Sequence, residues 1–130
     1  MKELTHEAKI AIIKILNEIL VADNVVRKSE VEYLNEIIKS FEFHGEYEVE
    51  VDNMKTLQAL SIIRILPIDQ KNEVAKMMGK MIIVDEDINY NEVKLYNSFC
   101  ESCDIKSSFN IEEYPEYLLS GSFTDFTDRV

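Results

Sequence analysis

The chain has 130 residues, 46% of them hydrophobic, and a formal charge of −11. That length suits one domain with one core, and the apolar content excludes a disordered acidic tail. Without a basic excess to displace phosphate counterions, nucleic acid and anionic membrane are poor partners; a cation or a basic protein surface fits the charge. Only 3 Gly and 2 Pro leave little punctuation, which favours long helices over many short strands. Two cysteines do not make a disulfide framework. Met1 to Glu7 lacks the apolar stretch of a signal peptide, and no apolar run approaches the roughly 20 residues of a bilayer span. The cytoplasm is therefore the expected location, without direct membrane insertion.

The spacing predicts a first helix capped by Thr5, with Glu7 in its first turn and Ala8, Ile12, Ile15, Leu16 and Ile19 on one stripe. Ile10, Ile13 and Leu20 widen that stripe, so the helix packs on more than one side; it ends near Ala22, before a turn from Asp23 to Arg27. The second helix carries Val31, Leu34, Ile37, Ile38 and Phe41 inward, with Ser29 and Glu32 as a capping box and Gly45 as its left-handed stop. From Glu46 to Asp52, polar and apolar residues alternate like a strand. No partner strand is legible, so the segment reads as an extended connector docking Tyr47 and Val49. A third helix is expected from Asp52 or Asn53 through Leu66, apolar almost all round and hence central, with Pro67 as its stop. Asp69 caps a fourth helix with Val74, Met77, Met78, Met81 and Ile82 buried; Gly79 inside it costs about 1 kcal/mol against Ala. Its three methionines read as gap-filling core. A fifth helix opens at Asn91 and Glu92, with Val93, Tyr96, Phe99, Cys100 and Cys103 inward. After Ile105, residues 110–119 suggest a short helix followed by a tail that ends in Phe-Thr-Asp twice.

Two stretches of this chain echo each other. Asp23 ends one apolar helix and Glu30 opens the next; Asp85 and Glu92 do the same 62 residues later. A carboxylate at a helix C-terminus is disfavoured by the macrodipole unless it has a partner, and here the choice is made twice. An Asx-type turn explains it structurally. A cation site explains it functionally. Asp85, Asp87 and Asn89 match the Asp-x-Asp-x-Asn start of a calcium loop, but Tyr90 stands where that loop needs Gly and Tyr96 where it needs Glu. Glu92 comes too early, so the pattern is not an EF-hand but a shorter loop. The first turn is poorer, since Asn24, Val25 and Arg27 replace Glu86, Asp87 and Asn89. The candidate metal ligands are Asp85, Asp87, Asn89 and Glu92, with Asp23 and Glu30 in the first unit, for calcium or manganese.

Cys100-x-x-Cys103 sits in a last turn, where the dipole raises rather than lowers a thiol pKa, and a zinc site would need four ligands. Both cysteines align with Ile38 and Phe41 and read as core. Glu3-x-x-His6 has di-iron spacing without the second motif or the further glutamates such a site needs. No phosphate loop, catalytic triad or H-E-x-x-H motif is present.

The turns Ala22-Asp23-Asn24-Val25-Val26 through Glu30, and Asp85-Glu86-Asp87-Ile88-Asn89 through Glu92, resemble the TerB-like family, named for tellurite resistance. Its signature is an Ala-Asp-Gly-x-Ile turn followed by a Glu that begins a helix, usually present twice. Here Asn24 and Glu86 replace the Gly, and Val84 replaces the second Ala. The resemblance covers roughly residues 10–105. It implies an all-helical domain with pseudo-twofold repeats, proposed cation binding by the acidic turns, and an association with chemical stress and membrane-proximal complexes. The expected architecture is therefore a single all-α domain over residues 1–105: two helix–acidic turn–helix units, five main helices, and a C-terminal helix and tail over 106–130. The expected function is a non-catalytic module that binds a divalent cation or a basic protein partner. A carboxylate-dependent hydrolase and a purely structural interaction domain are the alternatives.

Overall fold

Helix α1 (His6–Leu20) is the axis of the structure. Thr5 Oγ1 accepts the Ala8 N–H at 3.1 Å and starts the helix. Ala8, Ala11, Ile12, Ile15, Leu16 and Ile19 are completely buried, on more than one side of the helix. Every other helix packs against it. Those helices are α2 (Lys28–Phe41), α3 (Tyr47–Asn53), α4 (Thr56–Arg64), α5 (Ile68–Ile83) and α6 (Tyr90–Ser102). The computed structural model describes residues 3–22, 26–84 and 90–105, and among them there is no strand. The chain is a single small all-α domain. The expected helix over residues 110–119 lies outside the described residues. No helix among those described is long and apolar enough to cross a membrane.

The central helix is thus not the Met54–Leu66 segment that its composition suggested. Met54 and Lys55 form a bend, which leaves α4 nine residues long. Its buried residues, Ala59, Leu60 and Ile63, form one face, while Leu57 and Ile65 point to solvent. Apolar residues all round a helix signal burial only when neighbours exist on all sides, and α4 has them on one.

The acidic stretch after Gly45 is helical, so the described residues hold six helices rather than the five expected there. Asp52 and Asn53 end α3 instead of starting α4. Alternation misled because Tyr47 and Val51 are also one helical turn apart. Val51 is buried and Tyr47 packs on the core, whereas Val49 is half exposed.

Helix α2 begins without a capping box: Arg27 is the N-cap and makes no side-chain cap bond, and Ser29 lies within the first turn. It ends at Glu42, which adopts the left-handed conformation (φ 53°) in place of Gly45. For a non-glycine residue this costs about 1 kcal/mol. It also turns Phe43 into an aromatic cluster, edge-on to Phe41 at 5.8 Å and stacked on Tyr47 at 4.8 Å. Helix α5 starts at Ile68 after the extended Pro67, which places Asp69 in the first turn rather than at the cap. Its buried face includes Val74, Met78, Gly79, Met81 and Ile82.

The 62-residue interval of the sequence recurs in the backbone and its bonds. His6 and Ile68 begin α1 and α5, and Lys28 and Tyr90 begin α2 and α6. The left-handed residues Glu42 and Asp104 keep the same spacing, with φ of 53° and 56°. A tertiary hydrogen bond repeats as well. Lys9 Nζ donates to the Phe41 carbonyl at 3.1 Å, and Lys71 Nζ to the Cys103 carbonyl at 3.3 Å. In each case a lysine near the start of the first helix satisfies a carbonyl left orphaned at the end of the second.

Because α1 is buried on several sides, Leu16→Ala is expected to lower the unfolding free energy by about 2–5 kcal/mol. Leu57→Ala on α4 should change it by no more than about 0.5 kcal/mol. Urea denaturation measures both, and equal losses would contradict the central placement of α1.

Candidate functional site

The two echoing segments meet at one side chain. Arg27 leads into α2, with its carbonyl accepting the Val31 N–H at 3.1 Å. Glu30 is the third residue of α2 and Glu92 the third residue of α6. Both glutamates are 0% exposed. Arg27 Nη1 lies 3.9 Å from Glu30 Oε1 and 4.0 Å from Glu92 Oε1. The Arg27 side chain is 20% exposed, so the group sits near the surface with both carboxylates fully covered.

Local and long-range physics place these groups together. A first-turn glutamate is favoured by the partial positive charge of the helix N-terminus. Arg27 and Glu30 are three residues apart, which a helix start brings within reach. Glu92 arrives through the packing of α6 against α1, α4 and α5, which brings its first turn within reach of Arg27. At these distances Arg27 Nη1 is in ion-pair range of both carboxylates. Burial of carboxylates is costly unless they are compensated, and Arg27 is one positive group in place beside both.

Of the candidate ligands, Glu30 and Glu92 are therefore brought to one place. Asp23, Asp85, Asp87 and Asn89 lie outside the described residues. Among those described, no three His, Cys, Asp or Glu side chains cluster as a metal site. Sequence reasoning missed Arg27, reading it only as a poor substitute for a ligand. Its spacing to Glu30 carried half of the signal; its approach to Glu92 depends on docking and has no local signature. Neither carboxylate of this pair reaches solvent.

A concave feature lies near the start of α1. His6 Nε2–H donates to the Glu50 carboxylate at 2.9 and 3.0 Å, tying α1 to α3. The adjoining cleft of about 320 Å³ is lined by His6, Glu7, Ile10, Glu50, Asn53, Met54 and Gln58. Glu3 and His6 gather no further metal ligands there among the described residues.

Cys100 and Cys103 are buried, free thiols, as their alignment with Ile38 and Phe41 required. Cys103 Sγ donates to the Leu60 carbonyl at 3.6 Å. Burial pushes the Cys103 thiol up to about 11, with Cys100 beside it adding to the rise, and burial raises Cys100 also. These are not poised nucleophiles. The folded state holds the Cys103 proton more tightly than the unfolded chain. Its contribution to stability is therefore complete below about pH 9 and is lost as pH rises through about 11. Wild type is expected to lose on the order of 2 kcal/mol more than Cys103→Ala across that window, as read by urea denaturation. Parallel pH curves would refute this assignment.

No family model matches the chain, and no curated protein matches it. It is similar to a crystal structure of a protein of unknown function from Porphyromonas gingivalis W83. The TM-score is 0.72 at 20% sequence identity, covering 90% of this chain and 92% of that one. At that identity the likeness shows the fold alone, and the fold it shows is the all-helical one described above.

Proposed function

We propose that this chain is a non-catalytic, TerB-like acidic module that binds a divalent cation, calcium or manganese, and through that face a basic protein partner, in a tellurite-type stress response. The convergence of Glu30 and Glu92, buried on equivalent turns of α2 and α6, carries the reading. Carboxylate and amide oxygens are the donors that hard cations prefer, and calcium takes six to eight of them. Glu30 and Glu92 would supply part of that set; Asp85, Asp87, Asn89 and Asp23, each a few residues ahead of one of these helices in the sequence, would supply the rest. A cation there would neutralise the acidic turns and join the two units.

A structural reading competes, and a specific observation favours it: Arg27 already stands within 4.0 Å of both carboxylates as an internal counter-ion. The two readings part on Arg27→Gln. If the site takes a metal, removing the neighbouring positive charge tightens calcium or manganese binding on the order of tenfold. The metal then restores the melting temperature that the substitution lowers, and Glu92→Gln abolishes binding. For wild type, calcium after chelation should raise the melting temperature more than monovalent salt of equal ionic strength does. Flat calorimetric titrations for wild type and Arg27→Gln alike would leave Arg27 as the only cation this site holds.

A further inference from the structure

Helix α3 is weak by itself. Its seven residues make about two turns, too few for a helix to hold in water without support. Glu46 gives it no side-chain cap, Glu48 and Asp52 set like charges one turn apart, and no basic residue stands in its last turn. Its helical form therefore depends on docking to the body of the domain.

That docking is narrow. Helix α3 packs chiefly on α1, and Val51 is its one buried residue. Tyr47 stacks on Phe43 at 4.8 Å. The bond from His6 Nε2–H to the Glu50 carboxylate lies at the surface, with the two side chains 53% and 49% exposed. Exposed pairs of this kind contribute little. The cleft of about 320 Å³ is lined by both helices, by His6 and Ile10 of α1 and by Glu50 and Asn53 of α3. On that side their contact is incomplete.

The chain is fastened on both flanks of α3. Before it, Lys9 Nζ holds the buried Phe41 at the end of α2 through its carbonyl, at 3.1 Å. After it, Thr56 Oγ1 donates to the Glu18 carboxylate at 3.1 Å, and α4 makes the broadest packing on α1 of the helices described. Between these anchors and α3 stand two joints. Gly45 has φ of 84°, a conformation that glycine adopts without strain. Met54 and Lys55 are both extended, with ψ of 131° and 150°. A short helix between two such joints, anchored outside both, has the build of a strap.

We propose that α3 opens as a unit about Gly45 and Met54–Lys55 while the other helices stay folded, baring Val51 and the surface of α1 around Ile10. This device involves neither Glu30 nor Glu92. Amide hydrogen exchange on the full chain reads it. The amides from Val51 to Met54 should exchange as a group, on the order of 100-fold faster than those from Ile12 to Ile19, at rates that low urea leaves unchanged. Val51→Ala should speed that group on the order of tenfold further and leave the α1 and α4 amides at their wild-type rates. Exchange of the group at the α1 rate, or a Val51→Ala effect that spreads equally to α1, would overturn the proposal. So would a group without any protection, because the strap would then never be closed. Thiol labelling gives an independent reading. In Val51→Cys, a maleimide should modify the new thiol on the order of 100-fold faster than Cys100 and Cys103, which are buried in α6 and its cap. Equal labelling rates at all three thiols would overturn the proposal.

Discussion

One guanidinium, that of Arg27, stands within 4.0 Å of two buried carboxylates that the chain supplies from positions 62 residues apart, and this contact ties the start of α2 to α6. Burying one glutamate at the start of a helix is tolerable, because the helix terminus and a nearby arginine compensate. Glu92 is the third residue of α6 as Glu30 is of α2, and it is buried as completely. Arg27 is therefore the positive group shared by both helix starts.

The recurrence of bonds gives the 62-residue interval more content than a sequence echo. Lys9 and Lys71 perform the same task on the last turns of α2 and α6, although the residues that accept, Phe41 and Cys103, have nothing in common but a backbone carbonyl. The left-handed residues that come after them, Glu42 and Asp104, are both acids where glycine would be the easier choice. The connection between these segments, α3 and α4, has no counterpart among the described residues and runs from the aromatic cluster near His6 to Ile65.

Much of the fold was legible because helical periodicity and capping are local. The start of α1 at Thr5, the inward faces of α5 and α6, and the core role of both cysteines needed only spacing. Where reading failed, a local pattern served two geometries. The alternation from Glu46 to Asp52 fits a strand, yet Tyr47 and Val51 also share a helix face, and only the neighbouring surface of α1 decides between them. The apolar girth of Met54–Leu66 looked central, but the number of neighbours is a property of the topology. At the candidate site, Glu30 and Glu92 were visible as paired first-turn acids. Their complete burial and their common contact with Arg27 were not, since both arise from docking between distant segments.

The burial of α1 has a consequence for biosynthesis. This helix precedes all its covering partners in the chain, and α6, the last of them described, is complete only at Ser102. At about 5–20 residues per second, an apolar segment with several isoleucines waits roughly 4–16 s for its final cover. During that interval its stripe is open to other nascent chains and to holdase chaperones. The yield of native protein should therefore depend on translation speed and chaperone supply more than the stability of the finished domain would suggest.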